Sequence, residues 1–116
     1  MGTVTTSSSD WRELVRVEGH ELLGGHGRVR TPLKTDLGLL LDIEWPAGVC
    51  SPEHVHDHDS FIYLISGHLS GTVNGERAEL HPGQTLLHPK GVPHTVEAVT
   101  DSHWLEFKAP PTVTLS

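Results

Sequence analysis

The sequence predicts an all-β domain, and three observations lead to this prediction. Several short segments alternate apolar and polar residues with a period of two, which is the pattern of half-buried strands. Gly and Pro clusters separate these segments at short intervals, and no long helical pattern lies between them. The pair Asn74-Gly75 stands between two such segments and is the strongest short-range signal for a β-hairpin. We therefore expect an antiparallel sandwich or barrel.

The individual strands follow one another from residue 37 onward. The segment Leu39–Trp45 alternates clearly, and the turn residues 46–48 end it. Further strands are predicted at residues 61–65, at 69–73 and 76–80 on either side of the hairpin turn, and at 85–87, 95–99 and 104–107. Earlier in the chain, residues 11–17 fit either a strand or a short helix. Residues 110–116 fit an edge strand or a loose tail.

Length and composition favour one globular domain. The chain of 116 residues has room for a single compact unit. Hydrophobic residues make up 35%, and the 12 glycines raise the apolar share to about 45%, an ordinary globular value. Residues 1–10 are small and polar, so we expect a flexible tail there. Residues 11–116 then form the single domain, with its motif-bearing core at about 37–110.

Charge, cysteine content and hydropathy exclude several classes of function. With 8 basic against 15 acidic residues, the formal charge of −7 repels phosphate backbones, so we expect no nucleic-acid partner. The longest apolar run, residues 37–43, is far shorter than the roughly 20 residues that cross a bilayer, so we expect no membrane insertion. One cysteine cannot build a disulfide framework, and the polar start is not a signal peptide; both observations predict a cytoplasmic protein.

Histidine is the unusual residue of this chain, with 10 copies against 8 Lys plus Arg. Three of them alternate with other residues at His54, His56 and His58. Along an extended strand, side chains two residues apart share a face at about 6.6 Å, so His54 and His56 can bind one ion through bonds of about 2.1 Å. His58 would lie about 13 Å from His54 unless the chain bends after His56. The two aspartates that flank His58 favour such a bend.

A two-histidine site needs a further ligand, and the candidate is His94, which a turn places at the head of a strand. At this point the chain resembles the cupin superfamily. The matching residues are Gly48, His54, His56 and Gly67 for the first cupin motif, and Gly83, Pro89, Gly91 and His94 for the second. The resemblance covers about residues 37–110. It implies a double-stranded β-helix (jelly-roll) barrel that holds one divalent metal ion, commonly as a homodimer.

The chain departs from the family pattern at two positions. The usual carboxylate ligand falls at Ser60 and the usual closing Asn falls at Ala98. Because a serine hydroxyl is a poor neutral ligand, the simplest site has three neutral imidazoles and open positions, with Ser60, His58 or water completing the shell. The charge of the ion is then not compensated by its ligands, which favours a small anionic or chelating substrate. Direct binding of the ion by a nearby acid would contradict this hypothesis: Glu53, Asp57 or Asp59.

A candidate for proton transfer lies on the last predicted strand. Residues Trp104, Glu106 and Lys108 share one face of it. This stretch is most similar to the small uronate-linearising cupins, which carry an acidic residue near the position of Glu106. The resemblance implies that Glu106 acts as an acid or base in catalysis. The alternative is that Glu106 is a solvent-facing strand residue. His58 is the second catalytic candidate, with a surface position as its alternative. Tyr63 fits a proton donor or a core aromatic, and the core is favoured.

The remaining histidines are weaker candidates. His81 and His88 adjoin proline-containing turns, where a structural role is as common as a functional one. Exposed, solvated side chains are expected for four others: His20, His26, His68 and His103.

Three functions fit these residues. The first is a redox-inert lyase, isomerase or cyclase, in which a bound ion polarises a carbonyl or stabilises an enolate while Glu106 or a histidine moves the proton. The second is a three-histidine iron or copper dioxygenase, and the third is a small-molecule-binding or sensor domain without catalysis. Three imidazoles suit Zn, Fe, Ni, Mn or Cu, so the sequence does not choose the metal.

Overall fold

The structure is a computed structural model that describes residues 10–109. Apart from Asp10, the predicted tail lies outside the described residues, and so does the segment 110–116. The described part of the chain contains strands and turns but no helix, so it has none that could cross a membrane. The strands are β1 (Arg12–Leu14), β2 (Arg16–Val17), β3 (His20–Glu21), β4 (Gly27–Lys34), β5 (Leu39–Trp45), β6 (Cys50–His54), β7 (Asp59–Ser66), β8 (Leu69–Val73), β9 (Glu76–Leu80), β10 (Thr85–His88), β11 (His94–Ala98) and β12 (Ser102–Ala109).

Two antiparallel sheets enclose one core. The larger sheet has the order β1-β4-β5-β12-β7-β10, the smaller sheet has the order β6-β11-β8-β9, and β2 and β3 form a separate hairpin. Buried side chains from both sheets and from the N-terminal strands join in a single apolar cluster, which includes Leu14, Leu41, Ile62, Leu80 and Ala98. Burial of this cluster supplies the main driving force for folding. The predicted all-β jelly roll is confirmed.

The two clearest sequence signals are confirmed in detail. The strand Leu39–Trp45 has the predicted bounds, and the alternating apolar residues of its inner face lie in the core: Leu39, Leu41, Ile43 and Trp45. The hairpin of β8 and β9 turns at Asn74 and Gly75, whose φ angles of 52° and 80° both lie in the left-handed region. A two-residue turn with two such angles matches the twist of the strands, and Asn-Gly adopts it at low cost.

The N-terminal third contains more strand than its sequence suggested. Of the two alternatives for residues 11–17, strand is correct, because β1 and β2 lie there. Strand β4 was not predicted, since arginines occupy its outer positions. These arginines are paired across the sheet: Arg28 Nε lies 2.6 Å from Glu44 Oε1, and Arg30 Nε lies 2.9 Å from Asp42 Oδ2. The side chain between them, Val29, is buried in the core.

The preference for Tyr63 as a core aromatic is wrong. Its side chain is 46% exposed on the outer face of the larger sheet, beside Phe61 and Ile65. The inward positions of β7 are instead Ile62 and Leu64. The outer face is itself apolar here, so side-chain polarity alone does not reveal which face of β7 is buried.

Candidate metal centre

Three buried imidazoles meet at one end of the smaller sheet. His54 ends β6, His94 begins β11, and the two are directly paired across the strands. His56 follows two residues after the end of β6. The ring centroids lie 4.3 Å apart for His54 and His94, 4.6 Å for His56 and His94, and 4.9 Å for His54 and His56. One nitrogen from each ring falls within 4.8 Å of the others, so this cluster could hold a metal ion.

The hydrogen bonds of His54 and His94 orient their rings. Nδ1 of His54 lies 2.8 Å from the carbonyl oxygen of Pro52, and Nδ1 of His94 lies 3.2 Å from that of Val92. A carbonyl oxygen only accepts, so each Nδ1 must carry a proton and donate it. In a neutral ring the other nitrogen, Nε2, then keeps its lone pair for a ligand.

The third ring, His56, has an acceptor of a different kind. Its Nδ1 lies 2.5 Å from Oε1 of Glu18. With Nδ1 donating, Nε2 of His56 is also the nitrogen with the lone pair. Metal-bound histidines generally donate their second ring N–H in this way. The donor set therefore fits a divalent ion held by three imidazoles.

Burial keeps these rings neutral. It lowers the pKa of His54, and together with the nearby charge of Lys108 it lowers the pKa of His56 to about 2. Burial and the neighbouring His88 ring lower the pKa of His94 to about 3. Only a neutral imidazole binds a metal ion, so all three rings have the required charge state near pH 7.

The predicted bend after His56 is present. The chain turns at residues 57 and 58, and β7 begins at Asp59. His58 is fully buried, with its ring centroid 4.5 Å from that of His56, so the alternative of a surface position is wrong. It lies outside the three-histidine cluster, but it forms a second possible ligand group with Glu18 and His56. Burial lowers the pKa of His58 as well.

Glu106 faces the interior, and its solvent-facing alternative is wrong. The residue is 8% exposed, and both of its carboxylate oxygens accept hydrogen bonds. The Ser60 hydroxyl donates to Oε2 at 2.6 Å, and Trp104 Nε1 donates to Oε1 at 3.2 Å. Burial acts to raise the pKa of Glu106, but the ammonium of Lys108 and the bond from Ser60 outweigh it, so the pKa lies below its usual value. Glu106 is therefore a carboxylate at neutral pH.

Ser60 thus has a defined contact at the position where the family usually carries a carboxylate. Its hydroxyl binds the carboxylate of Glu106 on the neighbouring strand β12. A carboxylate is still present in the interior, but it comes from a different strand. It lies outside the cluster of possible ligands formed by the three histidines.

The nearby acids do not contradict the three-histidine hypothesis. Glu53, Asp57 and Asp59 are all exposed, and none of them belongs to the three-histidine cluster.

The remaining histidines agree only partly with the sequence prediction. His20 and His26 are exposed as predicted. His68 and His103 were also predicted to be exposed, but both are half-buried. The His68 ring lies 3.0 Å from Glu79, and the His103 ring lies 2.5 Å from Asp42.

Three residues of the site were not predicted as site residues from the sequence. Lys108 is fully buried; burial lowers its pKa, although nearby carboxylates favour its charged form. His88 is 2% exposed and stacks on His94 with centroids 3.8 Å apart, and its Nε2 has no hydrogen-bond partner within the described residues. Strand alternation with Glu106 could have placed Lys108 inside. No local signal points to the third residue, Glu18.

The space at the centre of these groups is small. A cavity of about 30 Å³ is lined by polar side chains of the site and by apolar side chains such as Val17 and Trp104. That volume is about the share of one water molecule in the liquid. It leaves room for a water molecule beside the histidines, so any larger ligand requires a wall of the cavity to open.

Fold and site together define a class of protein: a small antiparallel jelly-roll barrel with a buried histidine cluster that could hold a divalent metal. The chain belongs to the cupin domain family, whose sequence profile matches residues 42–107. This match confirms the resemblance noted in the two motifs. No curated protein matches the sequence.

Solved structures with the same fold are numerous. KdgF from Halomonas sp. has a TM-score of 0.72 and 22% identity, covering 88% of this chain and 86% of its own. A predicted oxalate decarboxylase from Thermotoga maritima has a TM-score of 0.74 and 17% identity, with 90% and 93% covered. An RmlC-like cupin from Shewanella frigidimarina has a TM-score of 0.70 and 20% identity, with 90% and 94% covered. At these identities the likeness establishes the fold alone.

Proposed function

We propose that this cupin is a metal-dependent enzyme, a redox-inert lyase, isomerase or cyclase acting on a small anionic or enolisable substrate. Nε2 of His54, His56 and His94 would hold the ion. Two observations carry this proposal: all three Nδ1 atoms lie against acceptors, which leaves the lone pairs on Nε2, and one ring nitrogen from each histidine lies in a single buried cluster.

Glu106 is the proposed proton acceptor. It lines the same cavity as the three histidines, it is ionised, and two hydrogen bonds fix its orientation. A bound divalent ion would polarise a substrate carbonyl and make the neighbouring C–H more acidic. A carboxylate held beside that carbon can then take the proton as a general base. The same carboxylate returns the proton to a different atom in an isomerisation.

The charges of the interior favour an anionic substrate. A divalent ion would bring two positive charges into an interior where its three imidazole ligands are neutral. Because these ligands do not compensate the charge, a carboxylate or an enolate bound beside the ion would do so. Small unsaturated sugar acids and enolisable ketones meet this requirement.

The proposal is tested by metal content and proton exchange. The protein is purified anaerobically without added metal, its ions are measured, and candidate uronates and diketones are incubated with it in D₂O. We expect about one divalent ion per chain and incorporation of deuterium at the carbon next to the carbonyl. Glu106→Gln should abolish the incorporation while retaining the ion. The exposed Glu97, on the same strand as His94, provides the matched control Glu97→Gln.

Two other results would overturn the proposal in favour of the alternatives. Oxygen uptake that depends on iron or copper would identify a dioxygenase. An intact metal site that binds small anions without exchange or turnover would identify a binding domain. A protein that takes up no metal at millimolar concentration would remove the basis of both enzymatic functions.

A homodimer, suggested by the resemblance to cupins, remains a prediction. The surface proposed for contact with a second copy is the outer face of the larger sheet, where Phe61, Tyr63, Ile65 and Leu87 are 42 to 47% exposed. Contiguous exposed apolar side chains are a feature of protein association sites. Light scattering after gel filtration measures the mass directly, and Phe61→Glu should produce monomers.

A further inference from the structure

The N-terminal hairpin contains a residue in an unfavourable backbone conformation. Strands β2 and β3 are joined by Glu18 and Gly19, with φ angles of 52° and 77°. This two-residue turn favours Asn or Gly at its first position, because other side chains are strained when φ is positive. Such strain persists where the surrounding structure requires it, and it is frequent at functional sites. The reason for a glutamate here has to come from its side chain.

The side chain of Glu18 extends into the candidate metal centre. Its Oε1 lies 2.5 Å from Nδ1 of His56, although the two residues are 38 positions apart in the sequence. The Glu18 side chain is 19% exposed and the His56 ring only 3%. Glu18 lies outside the residues 42–107 that match the cupin profile, so the family match assigns no role to it.

His56 differs in this respect from the other two proposed ligands. Nδ1 of His54 and of His94 donates to a backbone carbonyl two residues upstream. Because these acceptors belong to the backbone, a substitution at either upstream residue does not remove them. His56 lies in the bend after β6, and the acceptor for its Nδ1 is a side chain from another part of the chain. One of three proposed ligands is thus oriented by a single substitutable group.

The hairpin that carries Glu18 is fixed against the site by other contacts. The amides and carbonyls of Leu23 and Cys50 exchange two hydrogen bonds of 2.8 and 2.9 Å, which join the end of the hairpin to β6. Val17 lines the cavity, and the His20 ring lies 6.2 Å from the ring of His54. The hairpin therefore forms one wall of the site and carries the carboxylate at a defined position.

We infer that Glu18 is a positioning residue of the metal centre: its carboxylate holds His56 in the Nδ1–H tautomer and directs Nε2 toward the ion. The inference rests on the proposed function, because it needs the metal site. A charged acceptor also makes the ring a better ligand, since it stabilises the positive charge that develops on a metal-bound imidazole. Loss of such a partner generally weakens metal binding by about 10- to 100-fold.

Zn²⁺ affinity tests the inference, measured by competition with a chromophoric chelator on the full chain. Glu18→Ala and Glu18→Gly should both weaken binding by about 10- to 100-fold. Glycine accepts the positive φ and alanine does not, so equal losses identify the carboxylate rather than the turn as the cause. Glu18→Gln keeps an oxygen acceptor and should recover part of the affinity. The exposed Glu21 on the same hairpin gives the control Glu21→Ala, with wild-type affinity expected.

A second measurement is independent of the metal. Nitrogen-15 NMR of the imidazole rings in the metal-free protein should show His56 protonated at Nδ1, and Glu18→Gly should give a mixture of both tautomers. A wild-type ring protonated at Nε2, or wild-type affinity in both Glu18→Ala and Glu18→Gly, overturns the inference. A second Zn²⁺ ion that is lost in both Glu18→Ala and His58→Gln would also overturn it, because Glu18, His56 and His58 would then be ligands of that ion. A wild-type protein that binds no Zn²⁺ refutes the proposed function instead, while the NMR result still decides whether Glu18 sets the tautomer.

Discussion

The polar interior of this barrel has two regions that are built differently. At the paired ends of β6 and β11, His54 and His94 are oriented by backbone carbonyls two residues upstream. In the bend between β6 and β7, His56 and His58 are surrounded by side chains from distant segments, including Glu18 and Lys108. The first region is determined locally, by strand pairing and short loops. The second depends on how the N-terminal hairpin and β12 pack around it.

This comparison predicts that the locally built region is essential for metal binding and separable from folding. His94→Ala should weaken Zn²⁺ binding by about 1000-fold or more, because it removes a direct ligand. The fold should survive, since the apolar core cluster does not depend on this ring. Chelator competition measures the first effect and circular dichroism the second.

The exposed His26 provides the control for this experiment, and His26→Ala should bind Zn²⁺ as the wild type does. If His94→Ala retained wild-type affinity, the three-histidine centre would be wrong. If it unfolded the metal-free protein, the cluster would be part of the folding core rather than a separable site.

The next largest effect concerns the carboxylate on β12. Glu106→Gln keeps the size of the side chain but removes its basicity, so metal content should remain while turnover falls by about 100-fold or more. The measurement is deuterium incorporation per bound ion. Turnover within twofold of that of Glu97→Gln would assign Glu106 to the scaffold. Loss of the ion together with turnover would instead make Glu106 a ligand.

The locally built region and the overall fold could largely be predicted from the sequence. Period-two segments and Asn74-Gly75 located most strands, because each is a pattern between near neighbours. Local spacing joined only His54 and His56, and the resemblance to the two cupin motifs added the distant His94. Strand alternation placed Glu106 and Lys108 on one face, although only the structure shows that this face is the buried one.

The distant contacts could not be predicted. Strand β4 carries arginines whose partners lie on β5, so its polar outer face concealed it. Glu18 contacts a histidine 38 residues away, and no spacing in the sequence encodes that distance. Tyr63 was misplaced because both faces of β7 are apolar, which removes the contrast on which the period-two pattern depends.

The buried imidazoles also predict how stability depends on pH. Burial lowers the pKa of His56 to about 2, of His94 to about 3 and of His88 to about 4. Between these values and about 6.5, the unfolded chain binds protons that the folded chain does not, so stability must fall as the pH falls through this range. For each ring that stays neutral in the folded protein, the free energy of unfolding decreases by about 1.4 kcal/mol per pH unit as the pH falls below about 6.

Urea unfolding of the metal-free protein at pH 7, 6 and 5 measures this dependence. His94→Phe keeps an aromatic ring but does not titrate. The number of protons taken up on unfolding, which is obtained from the slope of the unfolding free energy against pH, should therefore fall by about one. Carboxylates remain largely ionised in the unfolded chain above pH 5, so they contribute little to the slope there. A stability that is constant between pH 6 and pH 5 would show that these rings are protonated in the folded protein.

The smallest effect should come from His58, and it sharpens the comparison between the two regions. Its ring is fully buried beside His56 but lies outside the three-histidine cluster. His58→Gln retains a polar group of similar length, so we expect a loss in Zn²⁺ affinity of about threefold, well below the loss in a Glu18 variant. Because His58 contacts the ring of His56 without accepting its Nδ1 proton, it can limit the movement of that ring but cannot set its tautomer. Competition titrations of His58→Gln and Glu18→Gly in one experiment rank the two contacts, and a larger loss for His58→Gln would make His58, rather than Glu18, the group on which the distant region of the site depends.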